Sequence, residues 1–179
     1  MSEKIRCFVG IKFPEEILRE IQKIQQELPE FDGKKTQKEK LHLTLKFLGE
    51  IEEEKISQTI EKLKEIKFPK FESFLGEIGV FTPNLIKIIW IKVEGNESMN
   101  LQKEIDEKLN GLFKKEERFM SHLTIARVKN IKNKRKFLEE LEKIKVKNLK
   151  FGVNKFYLVK SEQKEEEYEY SVIREFNLS

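Results

Sequence analysis

The sequence predicts an α+β protein of two lobes: two β-α-β-α-β units related by an approximate two-fold axis, each presenting an antiparallel-rich sheet to a central cleft and carrying helices outside. Three observations predict it. Apolar residues switch repeatedly between strand and helix periods, the order of these segments repeats along the chain, and both histidines stand in one context, His-Leu-Thr plus an aliphatic residue, 80 positions apart at His42 and His122.

The elements follow in order. Cys7, Val9 and Ile11 share one face of a first strand. Pro14 with Glu15 and Glu16 starts a helix whose stripe is Ile17, Ile21, Ile24 and Leu28, stopped by Pro29. A loop, EFDGKKTQKEK, leads into the strand LHLTLKFLGE; a helix striped by Ile56, Ile60 and Leu63 ends before Pro69, and a Phe-rich strand covers Phe71 to Phe81. The second pass gives a strand over Lys87 to Val93, a helix on Leu101, Ile105, Leu109 and Leu112, and a strand over Phe119 to Val128. A helix on Phe137, Leu141 and Ile144 and a strand over Leu149 to Lys160 complete it. Ile56 and Phe137 lie 81 apart and Phe71 and Phe151 lie 80 apart, so the pattern reads as an internal duplication. The expected organisation is a single bilobal domain over 1–179, with repeats at 1–84 and 85–160 and a final strand at 168–178.

Composition narrows the class. At 179 residues and 38% hydrophobic content the chain can bury a core. Its longest apolar run, Ile88 to Ile91, is far too short to span a bilayer, and MSEKIRCF is no signal segment, so a cytoplasmic protein without a membrane partner is expected. The single cysteine, Cys7, reads as a buried hydrophobe. A net charge of +4 mildly favours an anionic partner.

Strand parity places Leu41, Leu43, Leu45 and Phe47 on the core side and His42, Thr44 and Lys46 opposite; in the second motif Leu123 and Ile125 are inward, and His122 and Thr124 share the other face. A lone histidine in a strand is usually structural. With five threonines in the chain, Thr two places after both histidines is a coincidence of roughly one in a thousand. Two imidazoles in one site can divide the work of base and acid near neutral pH, which suits phosphoester chemistry. Threonine hydroxyls can donate to the non-bridging oxygens of a phosphate held between them. Two histidines without HExxH or paired cysteines do not make a zinc site, so neither metal nor cofactor is expected.

These residues resemble the 2H phosphoesterase superfamily, in particular its RNA 2′,3′-cyclic phosphodiesterase branch, long called 2′-5′ RNA ligases. The likeness rests on the paired motifs, the opening RCFVGIKFP, the stretch HLTLKFLGE, the segment from Gly76 to Pro83, Trp90 and SHLTIARV, and it runs over nearly the whole chain. It implies a bilobal α+β fold and metal-free opening of a 2′,3′-cyclic phosphate to a 2′-phosphate. Some members also run the reverse, ATP-independent 2′-5′ joining. It further implies that His42 is the proton donor to the departing 3′ oxygen and His122 the proton acceptor that activates water, with Thr44 and Thr124 on phosphate-binding positions. The implied partner is RNA with a cyclic phosphate end, tRNA fragments included, bound by a monomer.

Where relatives often carry an aromatic or apolar residue ahead of the first motif, this chain has KKTQKEK. Phe8 is a candidate to stack on a base. Lys46 and Arg127 are candidate anion contacts; parity puts Arg127 on the face of Leu123, so it reaches the cleft only through a bulge. The basic stretches Gly33 to Lys40 and Lys129 to Lys136 are candidate rims for RNA phosphates. A non-catalytic RNA-end binder and a phosphodiesterase for small nucleotides remain the alternatives.

Overall fold

The computed structural model describes residues 3–179. Its strands are β1 (Ile5–Lys12), β2 (Asp32–Lys35), β3 (His42–Ile51), β4 (Phe71–Val80), β5 (Ile88–Glu94), β6 (His122–Asn130), β7 (Lys150–Val153), β8 (Lys155–Lys164) and β9 (Glu167–Asn177). The helices are α1 (Glu15–Glu27), α2 (Glu53–Lys64), α3 (Asn96–Lys108) and α4 (Lys134–Leu141), with a short 3₁₀ turn at Lys38–Lys40. Pro14 caps α1 with its fixed φ, Glu15 and Glu16 complement the positive end of the helix dipole, and Leu28 leaves helical geometry ahead of Pro29.

The strands form two antiparallel sheets, in the orders β3-β1-β8-β9 and β2-β6-β5-β4-β7. The runs β3-β1-β8 and β6-β5-β4 match element for element, as a two-fold relation between the halves requires. The halves exchange their last strands: β4 joins the second sheet and β8 the first. The predicted strand over Leu149 to Lys160 is therefore two strands, divided at Asn154, because β7 pairs with β4 and β8 with β1. Helices cross over as well. α1, which follows β1 of the first sheet, packs on β6 of the second, and α3, which follows β5, packs on β3 and β4. The stripes Ile17, Ile21, Ile24 and Leu101, Ile105, Leu109 are fully buried in this packing, so each sheet's core is closed by the other half's helix. Neither lobe is complete alone.

β2 is an addition to the predicted set. DGKK has no apolar alternation to announce a strand, and all four residues are exposed. It forms because its backbone pairs with the open edge of β6. Only glycine fits at position 33, where any Cβ would fall 2.2 Å from the Arg127 carbonyl oxygen.

Candidate active site

The two motif strands, β3 and β6, start on the histidines and lie against one another. Before β3, the 3₁₀ turn points the Lys40 carbonyl back at the ring, and Nδ1 of His42 lies 2.7 Å from it. Nδ1 of His122 lies 2.7 Å from the Met120 carbonyl in the same way. A carbonyl only accepts, so each neutral ring carries its proton on Nδ1, and Nε2 is the atom free for chemistry. His42 Nε2 accepts from the Thr44 hydroxyl at 2.9 Å. Among the described residues, Nε2 of His122 has no protein partner.

Aromatic rings fix both imidazoles. Phe8 stacks on His42 with centroids 4.5 Å apart and planes at 25°, and Tyr170 meets both edge-on, at 5.3 Å from His42 and 5.2 Å from Phe8. Phe8 is 4% exposed. One face of its ring is taken by His42, so in this structure Phe8 supports the imidazole and offers little surface to a base. The bare α-carbon of Gly10 permits this, since a Cβ there would lie 2.8 Å from the Leu43 carbonyl oxygen and 3.3 Å from the Phe8 ring. His122 is flanked by Phe81, edge-on at 4.7 Å, and by Trp90 at 6.4 Å. Trp90 in turn lies over Gly79, where a Cβ would be 2.7 Å from the indole. Burial holds both histidines below the ordinary 6.5, the carbonyl bonds oppose this, and the Arg127 guanidinium lowers His42 further. Both rings are set up as neutral bases in the free protein.

Bulges decide the remaining side chains. In β3 the register passes from Gly10–Thr44 to Val9–Lys46, so one extra residue sits between Thr44 and Lys46. Parity flips there. Lys46 turns into the protein, 3% exposed, and its ammonium bonds the carboxylate of Asp106 and, at 2.8 Å, the Lys114 carbonyl. Lys46 is thus not the anion contact that alternation suggested. Phe47 takes the cleft side instead, 65% exposed beside Phe8. The matching bulge in β6, from Trp90–Thr124 to Ile89–Ala126, sends Ala126 into the core and brings the exposed Arg127 to the face of His122 and Thr124, near enough to act on His42. A cavity of about 50 Å³ opens beside His42, bounded by Gly10, Lys12, Glu39, Tyr170 and Val172.

The predicted basic rims are largely paired with carboxylates. The tip of the β8–β9 hairpin reaches the segment before His42: Glu167 bonds Lys40 at 3.0 Å and Gln37 at 3.2 Å, and Lys34 lies 3.9 Å from Glu166. On the other rim Arg135 pairs with Glu139 and Lys136 with Glu140. Exposed pairs of this kind are weak and open to a competing phosphate. Among the described residues no three His, Cys, Asp or Glu side chains are grouped to hold a metal, and no helix is long and apolar enough to cross a membrane.

Sequence alone missed Tyr170 and Phe81 as ring supports; the alternation of Tyr168, Tyr170 and Val172 along the last strand was the available signal for the first.

Comparison with known proteins gives a consistent picture. The family model described as LigT like Phosphoesterase matches twice, over residues 11–90 and 91–166. An RNA 2′,3′-cyclic phosphodiesterase of Methanocaldococcus jannaschii is 43% identical over 79% of this chain and 82% of its own. One of Aquifex aeolicus is 34% identical over 97% of each chain. Among solved structures, a protein of Thermus thermophilus superposes with a TM-score of 0.81 at 26% identity over 97% of both chains. The fold is likewise that of E. coli LigT complexed with 3′-AMP, with a TM-score of 0.81 at 21% identity over 99% of both chains.

Proposed function

The chain belongs to the LigT-like phosphoesterases and is an enzyme of that class, and from that premise we propose that it hydrolyses the 2′,3′-cyclic phosphate at an RNA end to a 2′-phosphate without a metal ion. The observation that carries this reading is the matched pair of Nδ1–carbonyl bonds, which leaves Nε2 as the reactive atom of both His42 and His122 on strands in mutual contact. The names borne by its relatives supply the substrate class.

In this reaction water attacks phosphorus in line with the P–O3′ bond. Nε2 of His122 takes the water proton, the P–O3′ bond breaks, and Nε2–H of His42 delivers a proton to the departing 3′ oxygen. Burial alone would keep His42 neutral. A bound phosphate anion beside it favours the imidazolium and restores the donor, while neutral His122 is already the base. Protonation of His42 also ends the acceptor role of Nε2 toward Thr44: the hydroxyl hydrogen is released toward a non-bridging phosphate oxygen, and Nε2–H is left for the departing 3′ oxygen. Thr124 supplies the second such donor, and Arg127 adds charge beside the phosphate. A 5′-hydroxyl in place of water gives ATP-independent 2′-5′ joining by the same proton flow. Both motifs come from one chain, so a monomer suffices for this reading, in which RNA ends, tRNA fragments among them, are the substrates.

The test is incubation with a nucleoside 2′,3′-cyclic phosphate in the presence of a strong chelator, followed by identification of the product isomer. A 2′-phosphate formed at an undiminished rate is expected. A 3′-phosphate, no turnover, or activity that returns only with added metal contradicts the reading.

A further inference from the structure

Two buried polar groups stand at equivalent places in the two halves and do the same work by different chemistry. Gln25 is the eleventh residue of α1 and Asp106 the eleventh of α3. Both are buried. Gln25 Nε2 donates to the carbonyls of Thr36 and of Ile125, each at 2.8 Å. Thr36 is itself bonded to β6 through its amide, at 2.9 Å from the Ile125 oxygen, and its hydroxyl, at 3.0 Å from the Thr124 oxygen. From Thr36 the chain has one 3₁₀ turn to reach Lys40, whose carbonyl holds the His42 ring. In the other half the Asp106 carboxylate accepts from the Glu116 amide at 3.1 and 3.2 Å and binds Lys46 of β3, whose ammonium also reaches the Lys114 carbonyl. From Glu116 the chain runs to Met120, whose carbonyl holds the His122 ring.

The spacing is the same in both halves: Thr36 stands six residues before His42 and Glu116 six before His122. The attachments are crossed. The segment delivering His42 is fixed to the strand that bears Thr124 and His122, and the segment delivering His122 is fixed to the strand that bears Thr44 and His42. Both attachments fall next to the bulges that turn Lys46 inward and Arg127 outward. Buried, hydrogen-bonded groups of this kind hold geometry rigidly, and a shift of one histidine by about 1 Å would cost a reaction that needs acid and base in place together.

We propose that Gln25 and the Lys46–Asp106 pair are positioning residues for catalysis, each fastening the segment that presents one histidine to the strand that carries the other, so that each ring is held in place at the phosphate site across the cleft. The inference rests on the reaction proposed above. It assigns no new contact with substrate.

The test is a double-mutant cycle on turnover of a nucleoside 2′,3′-cyclic phosphate. Gln25→Met should lower kcat by ~10²-fold. It should lose nothing further in a His42→Ala background, where there is no ring left to place, and keep its full factor in a His122→Ala background. Lys46→Met/Asp106→Leu, which replaces the ion pair by apolar groups and so preserves folding, should show the mirror pattern, silent with His122→Ala and fully expressed with His42→Ala. If Gln25→Met folds poorly, Thr36→Val removes only the hydroxyl bond to Thr124 and should follow Gln25→Met in the same cycle. Equal losses in both backgrounds would mean a merely structural role and overturn the inference. Wild-type rates in the histidine variants themselves would instead overturn the proposed reaction.

Discussion

Replacing Phe8 by leucine separates a ring that holds His42 from one that holds a base. The substitution keeps an apolar group in the core but removes the stack on His42 at 4.5 Å and the edge contact with Tyr170 at 5.2 Å. Two such aromatic contacts are each worth about 0.5–1.5 kcal/mol beyond buried area, so Phe8→Leu should lose about 1–3 kcal/mol of stability. In a urea titration this is a lower midpoint at unchanged slope. The second consequence is at the imidazole. Burial is the largest cause of His42's lowered pKa, so a looser wall lets it rise toward the ordinary value. The limb of the kcat/KM profile that reports loss of the donor proton should then move to higher pH, with a lower maximum rate because the ring is less well held. KM for cyclic phosphates of different bases should change alike. An unchanged midpoint and pH profile, with a KM that rises according to the base, would refute the positioning role and return Phe8 to the base-stacking one.

Three further outcomes follow from the same geometry. Lys46→Met alone leaves the Asp106 carboxylate buried without its cation and should cost about 3–5 kcal/mol in a urea titration, most of it recovered in Lys46→Met/Asp106→Leu; equal instability of the two variants would mean the pair is not desolvated. His42 and His122 bind protons less readily folded than unfolded, so their contribution to stability is full above the ordinary pKa of 6.5 and declines as pH falls through that value toward the lowered folded ones. His122→Ala should flatten the fall of the urea midpoint over that window, and an unaltered slope would deny the shift. Affinity for a cyclic-phosphate oligonucleotide should drop more steeply with salt than affinity for the mononucleotide, because each further phosphate that takes the place of Glu166 or Glu167 on Lys34 or Lys40 releases its counterions; equal slopes would confine binding to the terminal phosphate.

The two-lobed α+β fold and the pairing of the motifs were legible because period-two and near-four patterns are local properties of a sequence. Partner choice is not local. Nothing in Phe71–Val80 or Lys155–Lys164 says that each joins the other half's sheet, and nothing in the stripe of α1 says that it covers β6. The bulges were legible in part. Ile125 followed by Ala126 breaks alternation and marks the flip that exposes Arg127, whereas LHLTLKF keeps perfect alternation through a bulge that buries Lys46 and exposes Phe47. Gln25 and Asp106 are invisible to pattern reading, since a polar residue on the apolar side of a helix looks like noise until its partners on the other lobe are known.

The central claim is that His42 gives the proton and His122 takes one, and a change of leaving group tests it most directly. A nucleoside cyclic phosphate with sulfur in place of the 3′ oxygen departs with little need of protonation. Its turnover by His42→Ala should approach that of the unaltered enzyme, whereas His122→Ala should stay at its low residual rate because water must still lose a proton. Rescue of His122→Ala with His42→Ala left inactive would reverse the two roles, and equal rescue of both, or of neither, would contradict a divided acid and base.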